Sequence, residues 1–481
     1  MDELKKETTN VVPNNKVDRP RPERRRKTKM EIFKETTLPL IIVGVTIIFI
    51  LTFIVGSIVR GVQKRKIEEA ASIAASESAA AEEARLEEEV ENILHAAEIL
   101  AAQYNYDTAI AVIDNFSGNI GAYPELQDAR VRYEYNKSAL VPWEDPNTIV
   151  NLSFQTLIAD PGRAFSHAEE GSTMRQHYIT VNEFQTILER LYANDYVLVG
   201  LKDIVYEETD ESGQSVYKYK ELYLPEGKKP IVLTQTNVNY VLDLVDSDGD
   251  MVADQGGVGI ANKLVLTSDG SITCEMVDAD GAISYGYYDL IPILDAFVEE
   301  HPDFSYRGAK AVLGLTGFNG LFGYRTHAAG REAFGEESYN NDVATVQAIA
   351  ETLTKTGYEL GCYTFENRPY GVYALSEIQA DQQMWSDEVV PILGMLDIMI
   401  FAQNSDINTG MLYTGEKYEY LKSIGYDYFL GFGTEGDSFT FISDEYVRQG
   451  RLLVNGKNLA DNPNWFSGIF DTEDLLDPAR G

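Results

Sequence analysis

The sequence predicts an α/β domain on a mostly parallel sheet, preceded by a membrane-spanning helix and a helical spacer. Three observations predict it. Leu38–Val59 is an apolar run of 22 residues without a charge. Residues 67 to about 103 are dominated by Ala and Glu. From about Val141 onward, short apolar runs alternate with amphipathic stretches. Over such a length that pattern means strands joined through helices.

Leu38–Val59 shows no polar face beyond Thr and Gly, unlike a buried soluble helix. As a helix it is long enough for the hydrocarbon core of a bilayer. Residues 1–37 carry 11 Lys/Arg, including Arg24-Arg-Arg-Lys27. The more basic flank stays in the cytoplasm. The expectation is a single-pass plasma-membrane protein with a cytoplasmic N-terminus and an extracellular C-terminal domain. A cleaved signal peptide is the rival reading. The run is long for one, and the nearest small-residue site, Ala79-Ala-Ala81, does not follow it directly. The expected organisation is a basic tail (1–37), the span (38–59), a spacer (60–140) and the main domain (141–481).

Charge divides near the same place. Residues 1–66 carry 15 basic and 7 acidic side chains, and residues 67–481 carry 25 and 69. So acidic a domain is not drawn to nucleic acid or anionic lipid. Cys274 and Cys362 are the two cysteines. A domain this large does not need a disulfide, and their pairing is not legible from sequence.

In the spacer, the Ala/Glu run is a strong helix former. It turns amphipathic at Val90, Ile93, Leu94, Ala97, Leu100 and Ala101. Two short helices follow, around Tyr104–Asp114 and Pro124–Tyr133. They resemble one tetratricopeptide hairpin, but one repeat is not an array. They read as a spacer capped on the main domain. In that domain strands are expected at Ile149–Phe154, Tyr196–Val199, Ile231–Leu233, Ala311–Leu315, Glu359–Thr364, Asp397–Ala402 and Asp427–Leu430. Thr180 and Glu183 form a capping box opening a helix with Phe184, Ile187, Leu188 and Leu191 inward. Further helices are expected at Tyr287–Glu300, Asp342–Thr356, through Gln382–Val389, and at Glu416–Ser423. Tyr206–Tyr219 and Tyr240–Ile283 read as inserted loops.

Function in parallel α/β folds gathers at strand C-termini. Two such ends stand out, Ile231-Val-Leu-Thr-Gln-Thr-Asn237 and Gly357-Tyr-Glu-Leu-Gly-Cys-Tyr-Thr-Phe-Glu-Asn367. The first resembles the strand ending in Thr-Phe-Asp-Asp-Gly in polysaccharide deacetylases. The second resembles their Glu-Leu-Gly-Ser-His-Thr-x-x-His strand. Gly320-Leu-Phe-Gly-Tyr-Arg-Thr326, Glu445–Arg451 and the closing Phe470-Asp-Thr with Asp477-Pro-Ala-Arg480 are similar to a membrane-anchored Gram-positive branch. So is Asn151–Ile158, where that branch has histidines at the Asn151 and Gln155 positions. The resemblance is to the NodB-homology group, carbohydrate esterase family 4, over roughly residues 143–481. It implies a distorted (β/α) barrel and metal-assisted hydrolysis of an acetyl group, with a Zn or other divalent ion held by one Asp and two His, a second Asp as base and an Arg steadying it.

Carried onto this chain, the base falls on Thr236 and the metal Asp on Asn237. The two His fall on Tyr363 and Asn367. The Arg corresponds to Arg325, and Asp406 matches a late acidic position. Thr is no base at neutral pH, and Asn, Tyr and Asn are poor zinc ligands. The expectation is a homologue without metal or catalysis that binds cell-wall glycan, such as peptidoglycan, or a partner. Tyr363, Phe365, Glu366, Tyr370 and Tyr373 are its expected contacts. The alternatives are an active N-acetylglucosamine deacetylase with unorthodox ligands, and a surface scaffold recruiting a protein through the spacer. An oxygen-ligand set of Asn237, Glu366, Asn367 and Asp406 would suit a hard cation only weakly; a hydrogen-bonded polar cleft is the reading preferred. Asp246, Asp248, Asp250 and Asp254 resemble a calcium loop but lack the closing Glu, since Gly257 stands there. His327 reads as a loop histidine in solvent, and Cys362 as a small strand residue.

Overall fold

The computed structural model describes residues 29–33, 38–166, 170–213, 215–238, 240, 259–278, 280–408, 410–432 and 436–481. The candidate calcium loop, Asp246 to Asp254, lies outside them, as does most of the basic tail. The chain divides into two compact units between Glu87 and Glu88.

One helix, α1, runs unbroken over Leu38–Ala102. Its apolar end is long and apolar enough to cross a membrane. Every large apolar side chain from Leu40 to Val59 is exposed. The hydroxyls of Thr46 and Thr52 donate back to the carbonyls of Ile42 (2.7 Å) and Ile48 (2.9 Å). Both threonine hydroxyls are thereby satisfied within the helix. Toward its C-terminus Val90, Ala97 and Ala101 are buried, the stripe predicted from sequence.

Within the second unit, helices α2 (Tyr106–Asp114) and α3 (Pro124–Ser138) pair through Tyr106, Ala109, Ile113, Leu126, Ala129 and Tyr133. The end of α1 is fastened to the barrel domain. The Tyr104 hydroxyl donates to the Asp303 carbonyl at 2.7 Å, and the Arg307 amide to the Gln103 carbonyl at 2.8 Å.

The barrel strands are β1 (Val150–Phe154), β2 (Tyr196–Leu198), β3 (Lys229–Thr236), β4 (Ala311–Leu315), β5 (Glu359–Cys362), β6 (Ile398–Ile400), β7 (Tyr428–Gly431) and β8 (Val447–Leu453). Seven of them close a parallel barrel in the order β4-β5-β6-β7-β8-β1-β3, and β3 returns to β4. The eighth, β2, pairs only with the first half of β3, while β4 takes the second half. This split is the distortion of the barrel. Strand runs buried on both faces are what parallel sheets require.

The helices match the sequence reading, with some ends moved. They are α4 (Val181–Ala193), α5 (Leu290–Glu300), α6 (Glu336–Lys355), α7 (Leu375–Glu388) and α8 (Glu416–Ser423). Of these, α5 starts later than expected, α6 and α7 start earlier, and α8 coincides. The capping box at α4 forms in both directions. Its Glu183 also pairs with Arg480 at 2.6 Å, so the closing Asp477-Pro-Ala-Arg480 segment docks on the start of α4.

Three sequence expectations are corrected. Tyr206–Tyr219 is no loop but a hairpin, Val205–Thr209 against Ser215–Tyr219. Only Val205 and Tyr217 are buried in it, set among polar side chains, so the sequence gives little apolar alternation. The described part of Tyr240–Ile283 holds a three-stranded meander, Lys263–Leu266, Ile272–Val277 and Ile283–Gly286. The strand β8, which closes the barrel, was not among the expected strands, because Arg448, Gln449 and Arg451 interrupt its apolar pattern.

Candidate functional site

The strand C-termini surround a cavity of about 380 Å³. Six of the seven barrel strands reach it. Phe154 and Gln155 come from the end of β1, Thr236 from β3, Tyr363 from β5, Gln403 from β6, Phe432 from β7, and Arg451 with Leu453 from β8. His177 stands exposed at its rim. A second cavity, about 770 Å³, lies at the opposite end of the barrel among Gly200, Arg307, Glu359 and Asp397. None of the expected site residues lines it.

Thr236 and Tyr363 therefore meet in the mouth as the strand ends suggested. The Thr236 hydroxyl donates to the Phe154 carbonyl at 3.3 Å. The Tyr363 hydroxyl accepts from the Gln403 amide at 3.4 Å. Asn237 and Asn367 sit just behind the rim, both in the left-handed region at φ 62° and 54°. Asparagine tolerates that conformation better than most residues. Asn237 Nδ2 donates to Gln155 Oε1 at 2.7 Å, and the Asn367 carbonyl accepts from Gln403 Nε2 at 2.8 Å. The Oδ1 atoms of both asparagines are buried without a partner.

The other expected residues do not enter the mouth. Asp406 is buried in an ion pair with Arg448 at 2.9 Å and accepts from the Tyr413 hydroxyl at 2.8 Å. It also sits against Gly431, where a Cβ would stand 1.9 Å from its Oδ2. Glu366 is held by Arg368. Arg325 is buried in the loop after β4, donating to the Asn319 carbonyl at 3.2 Å, while its own amide donates to Asp342. Phe365 packs against Gly317 and Val389. Tyr370 is fully buried on Asp381 and Gln382, with its phenol raised well above 10 by burial and then by Asp381. Neither ring offers a face to a ligand. Tyr373 lies under Arg368.

His327 is 5 % exposed, not a solvent histidine, which corrects the sequence reading. Burial first, then Arg325, pushes its pKa down to about 4. Cys274 and Cys362 are buried free thiols that do not pair. Burial pushes the Cys362 thiol up to about 12, which keeps it protonated and unreactive.

The residues at the metal positions do not fit a zinc ion. Two neutral amides and a phenol bring no charge to the site. Among the described residues, no group of three His, Cys, Asp or Glu could hold a metal ion. The guanidinium lining the same mouth, Arg451, would repel one.

Sequence reasoning missed three residues that build this end of the barrel. Asp381 on α7 accepts the amides of Phe365 (2.8 Å) and Glu366 (3.0 Å), fixing the loop that carries Tyr363 and Asn367. Asp289, fully buried, accepts from Gln235 Nε2 (2.6 Å), the Leu157 amide (2.9 Å) and the Tyr240 hydroxyl (2.7 Å). Arg451 is the third. The signal for it was present: two arginines and a glutamine set inside an otherwise apolar run.

Among solved structures, the chain is similar to the deacetylase PplD of Streptococcus pyogenes, determined in complex with acetate. The identity is 11% over 67% of this chain and 97% of that one, with a TM-score of 0.33. Neither a family model nor a curated protein matches the sequence.

Proposed function

We propose that this is a membrane-anchored extracellular protein whose barrel mouth binds cell-wall glycan without hydrolysing it. One observation carries the reading. At the strand ends where the resembled family keeps a base and three metal ligands, this chain has the uncharged Thr236, Asn237, Tyr363 and Asn367; the side chains of the first three hydrogen-bond to neighbours, and Asn367 is held through its backbone carbonyl. The mouth keeps what a sugar needs. Tyr363 and Phe432 offer apolar ring surface to a pyranose face, and Gln155, Gln403, Asn404 and Asn455 offer amides to its hydroxyls. Its volume falls in the range of small-molecule pockets. The exposed apolar run of α1 is the proposed anchor, and the basic tail before it sets the proposed sidedness.

The test is metal analysis and an acetate-release assay on the purified protein, with a binding titration against N-acetylglucosamine oligomers. Saturable binding that Tyr363→Ala weakens, with no acetate released, is the expected result. Stoichiometric zinc with acetate release overturns the reading. So does the absence of binding at millimolar glycan.

A further inference from the structure

Arg451 is 3 % exposed at the bottom of the mouth. Its Nη1 donates to Ser153 Oγ at 2.9 Å and its Nη2 to the Phe401 carbonyl at 2.6 Å. Its Nε has no partner. The guanidinium lies 4.5 Å from the centroid of the Phe432 ring. A guanidinium carries five N–H donors, so the protein satisfies two of them. No carboxylate among the described residues pairs with it. Burial pulls its pKa down to about 10, with Tyr363 and Asp406 pulling the other way, so it remains a cation at neutral pH.

The neighbouring Arg448 shows how this chain treats a buried arginine kept for structure. It has the Asp406 carboxylate and the carbonyls of Asn408, Gly410 and Met411. A buried cation lacking such an anion is strongly destabilising. Moreover, no Asp or Glu among the described residues lines the mouth. That is unexpected in a chain with 76 acidic and 40 basic residues.

We propose that Arg451 is an anion-recognising residue and that the ligand of this mouth is a sugar bearing a carboxylate. The carboxylate takes the free N–H donors of Arg451 while the sugar ring packs on Phe432 and Tyr363. One guanidinium, with no second buried cation in the lining, matches a single negative charge and a planar bidentate partner. The proposal rests on the glycan-binding reading and names the class of glycan.

The experiment is a ligand-observed NMR titration of the full-length protein in nanodiscs with methyl β-glucuronide, its methyl ester, methyl β-glucoside and propionate. The acid is expected to bind at least tenfold more tightly than its ester and the glucoside, and propionate weakly. Arg451→Met removes the preference and Arg451→Lys restores part of it. Equal binding of acid and ester overturns the proposal, and that comparison uses the wild-type chain, so it stands even where Arg451→Met fails to fold. Propionate binding as tightly as the glucuronide overturns the sugar part. Neutral oligomers that bind without any acid preference sink this proposal and leave glycan binding intact. Acid binding that depends on Arg451, with no binding of neutral oligomers, supports it and removes the broader reading.

Discussion

Replacing Asp381 with alanine is expected to cost the protein about 3–5 kcal/mol and to loosen the mouth. The carboxylate is fully buried and takes three donors: the Phe365 amide, the Glu366 amide and the Tyr370 hydroxyl. A buried donor left without an acceptor costs about 1–3 kcal/mol. The phenol can rotate toward Gln382, so the sum falls below three full penalties. The two amides cannot rotate away, because Thr364 and Asn367 on either side are held at φ 60° and 54°. Asp381→Asn keeps one acceptor oxygen and is expected to cost about 2 kcal/mol. Urea unfolding of the full chain in mild detergent measures both, and Trp385 on the same helix supplies a buried fluorophore. Hydrogen exchange gives the local reading, with protection lost at the Phe365 and Glu366 amides. Unfolding within about 1 kcal/mol of wild type for Asp381→Ala, or unchanged protection at those amides, would refute the assignment of Asp381 as the clamp of this loop.

Arg448→Met leaves Asp406 buried without its cation and is expected to destabilise the fold by about 3–5 kcal/mol in the same unfolding assay; Arg448→Lys should recover part of the loss, and a change below about 1 kcal/mol for the methionine variant would contradict the pairing. Two groups give stability a pH dependence of opposite sign. His327 titrates near 4 in the folded chain against an ordinary 6.5, so the unfolded chain binds the extra proton and stability rises with pH across that interval. Burial lifts Glu359 to about 7 from an ordinary 4.5, against the pull of the Leu201 and Lys202 amides, so the folded chain holds the proton and stability falls as pH rises through that range. Tm measured at pH 5, 6 and 7.5 separates them: His327→Gln lifts Tm at pH 5 relative to pH 7.5, and Glu359→Gln does the reverse. Unchanged Tm differences in both variants would show that neither group is buried as described.

Much of the barrel was legible because its strands are apolar on both faces and its helices carry local signals. Thr180 and Glu183 announced α4, and Glu416–Ser423 was placed to the residue. What failed to show were elements whose polar side chains are satisfied only in three dimensions. Arg448 and Gln449 make β8 look like a loop until Asp406 and Asn151 are placed beside them. The Val205–Tyr219 hairpin buries only Val205 and Tyr217 among polar side chains, too few to make a pattern. At the site, Thr236 and Tyr363 line the mouth, where strand ends point. Asp406 and Tyr370 face the core; a motif position does not say whether a side chain faces a cavity or the core.

The acid-free lining formed by the described residues of the mouth has a kinetic consequence. Residues 67–481 carry 69 acidic side chains against 25 basic ones, so an approaching anion is repelled before it meets Arg451. Added salt shortens the reach of that repulsion to about 8 Å at physiological ionic strength, while a dry contact at the bottom of the cavity is screened far less. Were the proposed acidic sugar the ligand, its capture would speed up as salt is added, the opposite of ordinary charge steering. The protein's own field would then act as a gate that the surrounding salt opens.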